Sequence, residues 1–237
     1  MVTQRLAPAS LPPGERVYAI GDVHGCLDQL DEMHQLIAKD LAARPGVRAT
    51  VVHLGDYIDR GPDSAGVIRR LIAPPAGLGR VVNLMGNHED MLLDALNGGR
   101  GAAEIWLHNG GVASLESWGV PPRQRPKDWA GMIPATEIAF LRGLSLTHRQ
   151  GGYLFVHAGV RPGKALDEQT EHDLLWIREP FLSFEGALPA VVVHGHTPEE
   201  PQPVVRANRI GMDTGAVLGG MLSCVVLEAD RMGFIQV

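Results

Sequence analysis

The sequence predicts an α/β fold, and two features carry that expectation. Through about the first hundred residues, short apolar runs alternate with segments of helical periodicity, as strands joined by crossover helices do. Each apolar run also breaks into a turn that contains glycine, and open α/β sheets place their sites at such strand ends.

Val17–Ile20 is an apolar strand that ends in "GDVHG" (21–25). From Leu27 to Ala43, the residues Leu27, Leu30, Met33, Ile37 and Leu41 recur at intervals of three and four. They mark an amphipathic helix, which Pro45-Gly46 ends. Thr50–Leu54 is a β-branched run that reads as a buried strand and ends in "GDYIDRG" (55–61). A helix from Ser64 to Ile72 stops at Pro74-Pro75. Arg80–Met85 is a third strand, ending in "GNHED" (86–90), and a helix runs on from Glu89 to Leu96.

The stretch 98–148 is less regular, with loops at "LHNGG" (107–111) and "VPPRQRP" (120–126) and helices over Ala102–Leu107 and Ala135–Leu144. Strands return at Tyr153–Val156 before "HAG" and at Ala190–Val193 before "HGHT". Gly220–Glu228 and Gly233–Val237 read as an antiparallel pair joined at Asp230-Arg231. No internal repeat, low-complexity tract or domain boundary is evident. The expected organisation is a flexible, proline-bearing lead-in over 1–16 and one catalytic domain over 17–237.

Of the 237 residues 45% are hydrophobic, enough for a substantial core. No apolar run is long enough to cross a membrane. A formal net charge of −6 disfavours nucleic acid and anionic membrane as partners. Cys26 and Cys224 form no CxxC pattern and read as small packed residues, so a cytoplasmic protein is expected.

In extended chain Asp22 and His24 lean to the same side, which suits either a metal site or a polar turn. Alone that pair does not decide. Yet five strand ends carry metal-type residues: Asp22/His24, Asp56, Asn87/His88, His157 and His194/His196. Hard oxygen donors mixed with imidazoles suit Mn²⁺, Fe or Zn²⁺ better than Ca²⁺ or Mg²⁺ alone. The donors are too many for one closed tetrahedral site. They fit two metals about 3.5–4 Å apart, clamping a phosphate or carbonyl centre.

"GDVHG", "GDYIDRG", "GNHE", "HAG" and "HGHT", in this order, resemble the phosphoprotein phosphatase branch of the calcineurin-like metallophosphoesterases, in its small bacterial and phage form. "NGG" (109–111), "LLWIRE" (174–179) and "DTGAV" (213–217) are similar to the same group. The resemblance implies an α/β/β/α four-layer sandwich with a dimetal site at the strand-end loops. It implies that Asp22 and His24 hold the first metal, that Asp56 bridges both, and that Asn87, His157 and His196 complete the second. The implied cofactor is two divalent ions, Mn²⁺ foremost with Fe or Zn²⁺ as alternatives. The implied chemistry is direct attack of a metal-bridging hydroxide on phosphorus. His88 protonates the leaving alkoxide, Asp59 orients His88, and Arg60 and Arg178 grip the phosphate oxygens. Asn109 either caps a turn or touches substrate. Arg178 has an alternative as the ion-pair partner of Glu179 or another surface acid.

His53 reads as a buried strand residue, and Asp213 as a residue fixing its own loop. Glu89 opens a helix and could also support His88 or a metal ligand. His194 is either support for a ligand or a packed strand-end histidine. Broader metallophosphoesterases carry another histidine where this chain has Pro198, so the first metal would lean on Asp22, His24 and Asp56. The activity implied is hydrolysis of phosphoserine and phosphothreonine in proteins, or of small phosphoesters. The alternative is a symmetrical diadenosine tetraphosphate hydrolase, which shares the metal motifs. "GDYIDRG" and "GNHE" favour the monoesterase, because in the tetraphosphatase pattern the place of Asp59 is not acidic and Asp follows "GNH".

Overall fold

A computed structural model describes residues 4–121, 123–199 and 201–237. Met1–Thr3 of the lead-in and Pro122 of the 120–126 loop lie outside them. The strands are β1 (Arg5–Leu6), β2 (Glu15–Ile20), β3 (Arg48–His53), β4 (Arg80–Asn83), β5 (Thr147–Gln150), β6 (Tyr153–Val156), β7 (Val191–His194), β8 (Val204–Val205), β9 (Arg209–Gly211), β10 (Ser223–Glu228) and β11 (Arg231–Gln236). The helices are α1 (Leu27–Ala42), α2 (Ser64–Ile72), α3 (Asn87–Leu96), α4 (Ala102–Trp106), α5 (Val112–Ser117), α6 (Pro126–Trp129), α7 (Ala135–Arg142) and α8 (Glu171–Trp176).

One sheet has six strands in the order β1-β11-β10-β2-β3-β4, and the other has five in the order β5-β6-β7-β9-β8. Period-two alternation sends the two faces of β2 to different cores. Val17 and Ala19 meet Val52, Tyr153, Phe155, Val193 and Ile210 between the sheets. Tyr18 and Ile20 face the helices, where Leu30, Met33 and Ile37 form the buried stripe of α1. Outside the second sheet, Leu154, Val156 and Val192 pack under Leu174, Ile177 and Phe181. The result is the expected four-layer α/β/β/α sandwich, with a thin outer layer on the second sheet.

Local chemistry accounts for the boundaries. The Asp63 carboxylate accepts from Gly66 N at 2.7 Å and starts α2, whose Val67, Ile68 and Leu71 are buried. The helix α3 begins at Asn87, two residues earlier than the periodicity suggests. Gly86 is still extended and the Glu89 side chain turns back to its N–H at 3.0 Å, so Asn87 and His88 lie in the first turn.

Two expectations need correction. The lead-in is not a loose tail. Arg5 and Leu6 pair with Met232 and Arg231, Gly152 N donates to Ser10 O at 2.9 Å, and Leu11 is only 4% exposed. Proline there prevents helix but not extended pairing along a sheet edge. The second correction is "LHNGG", which is no loop but a wide π-type turn joining α4 to α5. The short helix α8 carries no expectation, because six residues cannot signal a helix by periodicity. The Thr170 hydroxyl caps it, accepting from Asp173 N at 3.1 Å.

Candidate active site

Six parallel strand ends, three from each sheet, converge on one place. The loop after β2 carries Asp22 and His24, that after β3 carries Asp56, Asp59 and Arg60, and β4 leads into Asn87 and His88. From the other sheet, β6 leads to His157, β7 to His196 and β9 to Asp213. Asp22, His24, Asp56, Arg60, Asn87, His88, Asn109, Trp176, Arg178, His196, Pro198 and Asp213 line one cavity of about 250 Å³. His157 lies fully buried beneath it, 2.8 Å from Asn87 Oδ1.

The backbone is held against its preference here. His24, Asp56, Asp59, Arg60 and His196 all have positive φ, between 44° and 74°. Ala229 is the one other non-glycine with positive φ among the described residues. Each such residue costs about 1–3 kcal/mol, which the surrounding structure must offset. Gly195 shows how closely the loops approach, since a Cβ there would lie 1.9 Å from Asp22 Oδ1.

Glu89 ties two of the loops together. Its fully buried carboxylate accepts from the backbone N–H groups of Gly86, Asp56, Tyr57 and Ile58 at 2.7–3.2 Å. Burial and the neighbouring Asp56 charge push its pKa up to about 8, against the pull of those donors.

Four imidazoles divide by protonation. Burial drives His24 and His196 down to about 3, and burial lowers His157 as well, so all three are neutral. His88 is the exception. Burial alone would lower it, but the charges of Asp56 and Asp59 outweigh burial and raise it. Its Nδ1 donates to Asp59 Oδ2 at 2.6 Å, while its Nε2 accepts from the Arg60 guanidinium at 2.9 Å.

The donor set fits cations. His157 Nδ1 must donate to Leu54 O at 2.9 Å, which leaves the Nε2 lone pair of the neutral ring facing Asn87 Oδ1 at 2.8 Å and Asp56 Oδ1 at 3.4 Å. Acceptors do not face one another without a cation between them. Asp22 Oδ1 and His196 Nε2 are buried without partners. Burial and the nearby Asp213 and Asp56 carboxylates push Asp22 well above the usual carboxylate range, a crowding that dications relieve. Two groups could each hold a metal ion with donor atoms within 4.8 Å of one another: His24, Asp56 and His88, and Asp56, His157 and His196. Asp56 belongs to both.

Residues 15–220 match the family model of the calcineurin-like phosphoesterases. The chain belongs to this family. Phosphoesterase chemistry and a site able to hold two metals follow from that membership. This calcineurin-like phosphoesterase is 29% identical over 228 residues to serine/threonine-protein phosphatase 1 of Salmonella typhimurium, covering 90% of this chain and 92% of that protein. It is 30% identical over 177 residues to the symmetrical bis(5'-nucleosyl)-tetraphosphatase of Acidovorax sp., covering 74% of this chain. The chain spans only 51% of that relative's length. The solved structure of a cold-active protein tyrosine phosphatase shares the fold, with TM-score 0.63 over 96% of this chain and 81% of that chain, at 19% identity.

Within the phosphoesterase fold, the residues singled out from the motifs come together, with differences in detail. Asp22 reaches the cavity but stands outside both three-residue groups, its Oδ2 accepting from His196 N at 2.9 Å. His88 falls inside the first of those groups, yet its bond to Asp59 and raised pKa suit a proton carrier better than a ligand. Asn109 lines the cavity while its amide donates to Ile105 O at 2.9 Å. Arg178 is exposed at the cavity, and among the described residues no ion pair joins it to Glu179. His194 packs against Phe181 with centroids 5.1 Å apart and does not line the cavity. The left-handed turn at His196 breaks the alternation that would have kept the two histidines on one side. His53 is buried 2.9 Å from His34, as a strand residue would be. Trp176 was missed as a cavity residue, although "LLWIRE" contains it.

Proposed function

We propose that this chain is a dimetal phosphomonoesterase acting on phosphoserine and phosphothreonine in proteins. The observation that carries the reading is the buried Asp59–His88 pair at 2.6 Å. An alkoxide is a poor leaving group and needs a proton as the P–O bond breaks. A tetraphosphate releases a nucleotide, which leaves readily without one.

In this reading Asp22, His24 and Asp56 hold one divalent cation, and Asp56, Asn87, His157 and His196 hold the other, Mn²⁺ being the best match to the donors. When bound, the pair supplies Lewis acidity and an activated water. The chain's residues do the rest. Arg178 and Arg60 draw in the phosphate and orient its non-bridging oxygens, two per planar guanidinium, once Arg60 gives up its bonds to His24 Nε2 and His88 Nε2, each at 2.9 Å. His88 faces the leaving oxygen and gives up its proton. The Asp59 carboxylate stabilises the imidazolium before transfer and keeps Nε2 as the donating nitrogen. The partner is thus a phosphorylated protein, with small phosphoesters as accessory substrates.

Dialysis against a chelator is expected to lower activity at least about tenfold, and added Mn²⁺ should restore it. With Pro198 where a further histidine could stand, the first cation has few protein ligands and should exchange quickly. Full activity after exhaustive chelation would exclude the dimetal reading.

The tetraphosphatase relative favours a second reading, cleavage of diadenosine tetraphosphate to two ADP. A comparison of kcat/KM on a phosphothreonine peptide and on the dinucleotide separates them. We expect the peptide to be preferred by about a hundredfold or more, consistent with a proton donor worth roughly 10²–10⁴. Preference for the dinucleotide would overturn the substrate assignment and leave the metal site intact.

A further inference from the structure

"NGG" and the helices on either side of it have no part in the chemistry above, yet they converge on its proton donor. The Asp59 carboxylate is fully buried and collects three side-chain partners. Trp106 Nε1 donates to Oδ2 at 2.9 Å and to Oδ1 at 3.1 Å. Ser114 Oγ donates to Oδ1 at 2.6 Å and accepts from Asp59 N at 2.8 Å, closing a ring on the residue. His88 Nδ1 takes the remaining direction on Oδ2 at 2.6 Å. Ser64 Oγ also accepts from Asp59 N, at 3.0 Å.

Trp106 ends α4 and Ser114 lies in the first turn of α5, so the wide turn between them sets their spacing. Two glycines make that turn possible. Gly110 adopts φ 107°, and its carbonyl accepts from Arg60 N at 3.2 Å. A Cβ on Gly111 would come within 2.6 Å of the Trp106 indole, so any larger residue there displaces the ring. Trp129 braces the indole from outside, edge-on with centroids 5.4 Å apart. Neither Trp106 nor Ser114 lines the cavity, so neither can touch substrate.

We infer that Trp106 and Ser114 are positioning residues for the proton donor, clamping the Asp59 carboxylate in the one orientation that aims His88 at the leaving oxygen. This rests on the proton-donor role given to His88 above. A carboxylate free to rotate by one rotamer would still pair with the imidazolium, but it would not fix where Nε2 points. The clamp removes that freedom. Asp59 sits in the left-handed region with φ 74°, a conformation that the surrounding contacts must hold. The same turn carries Asn109 at the cavity wall and holds the Arg60 backbone, so acid and phosphate grip share one support.

The test uses wild type, Trp106→Phe, Ser114→Ala and His88→Asn on phosphomonoesters of graded leaving-group basicity, from a phosphothreonine peptide through phenyl phosphate to 4-nitrophenyl phosphate. Trp106→Phe keeps an aromatic ring but deletes the N–H together with the fused five-membered ring. It and Ser114→Ala should each lower kcat on the peptide about tenfold, with KM held within about twofold. The loss should shrink below about threefold on 4-nitrophenyl phosphate, whose leaving group needs little proton assistance. A loss that is equal for every leaving group, or that falls on KM, would make both residues merely structural. If His88→Asn shows graded losses and the other two do not, the clamp fails alone. If His88→Asn is itself flat, the proton-donor reading fails and takes the clamp with it. Should Trp106→Phe not fold, Ser114→Ala decides, since it deletes one atom from a site that Ser64 still supports.

Discussion

Replacing His88 by Asn should lower kcat/KM on a phosphothreonine peptide by about a thousandfold, within the range by which a positioned acid accelerates such steps. The loss should appear in kcat, because the proton moves only as the transition state forms. His88 is singled out by its surroundings. Burial empties His24, His157 and His196 of protons, whereas Asp56 and Asp59 together raise His88. It alone among the site imidazoles is shifted toward its protonated form, although in this structure its Nε2 accepts from the Arg60 guanidinium at 2.9 Å. Asn leaves the Asp59 carboxylate with the Trp106 and Ser114 donors, so it is not stranded as a bare charge. The fold should therefore lose only about 1–3 kcal/mol, small enough to survive. Steady-state kinetics beside a thermal melt check both halves. A folded variant keeping more than a tenth of wild-type activity would remove His88 from the chemistry.

The motif residues were legible because each follows an apolar run that can only be a strand. Asp22, Asp56, Asn87, His157 and His196 sit at the ends of β2, β3, β4, β6 and β7, and parallel strands carry their ends to one edge. Trp106 and Ser114 left no such trace. Their bonds to Asp59 span 47 and 55 residues, and a tryptophan in a short helix reads as ordinary core until its N–H has a partner. Asp213 was visible as a loop acid, but not as a cavity wall, because β9 is three residues long and ends in the loop that delivers it. The lead-in was misjudged for a different reason. Proline suggests disorder locally, while the edge of β11 that orders residues 5 and 6 lies at the far end of the chain.

Asp56→Asn should be the most damaging substitution of all for metal binding, lowering activity at least about a thousandfold. Asp56 is the one residue common to both candidate metal groups, with Oδ1 3.4 Å from His157 Nε2 and Oδ2 3.5 Å from His24 Nε2. Burial would favour its neutral form, yet the charge of a protonated His88 and the His88 backbone N–H at 3.1 Å hold its pKa below the ordinary carboxylate range. It is therefore the fixed negative charge at the centre of the site, and Asn removes that charge with almost no change of shape. The same charge is a burden when no cation is present, because it pushes up the pKa values of Asp22, Glu89 and Asp213 around it. Stability should then respond in opposite directions. In chelator, Asp56→Asn should melt no lower than wild type, since repulsion among buried carboxylates is relieved. With Mn²⁺ at a hundred times the dissociation constant of each site, wild type should gain about 2.7 kcal/mol per bound ion by linkage while the variant gains almost nothing. Titration calorimetry should find two ions bound per wild-type chain and a deficit in the variant. A variant that melts lower in chelator but still binds two ions would make Asp56 a structural residue and move the shared ligand elsewhere. A variant that is stable, metal-poor and inactive would place the charge of Asp56 at the origin of both metal affinity and turnover.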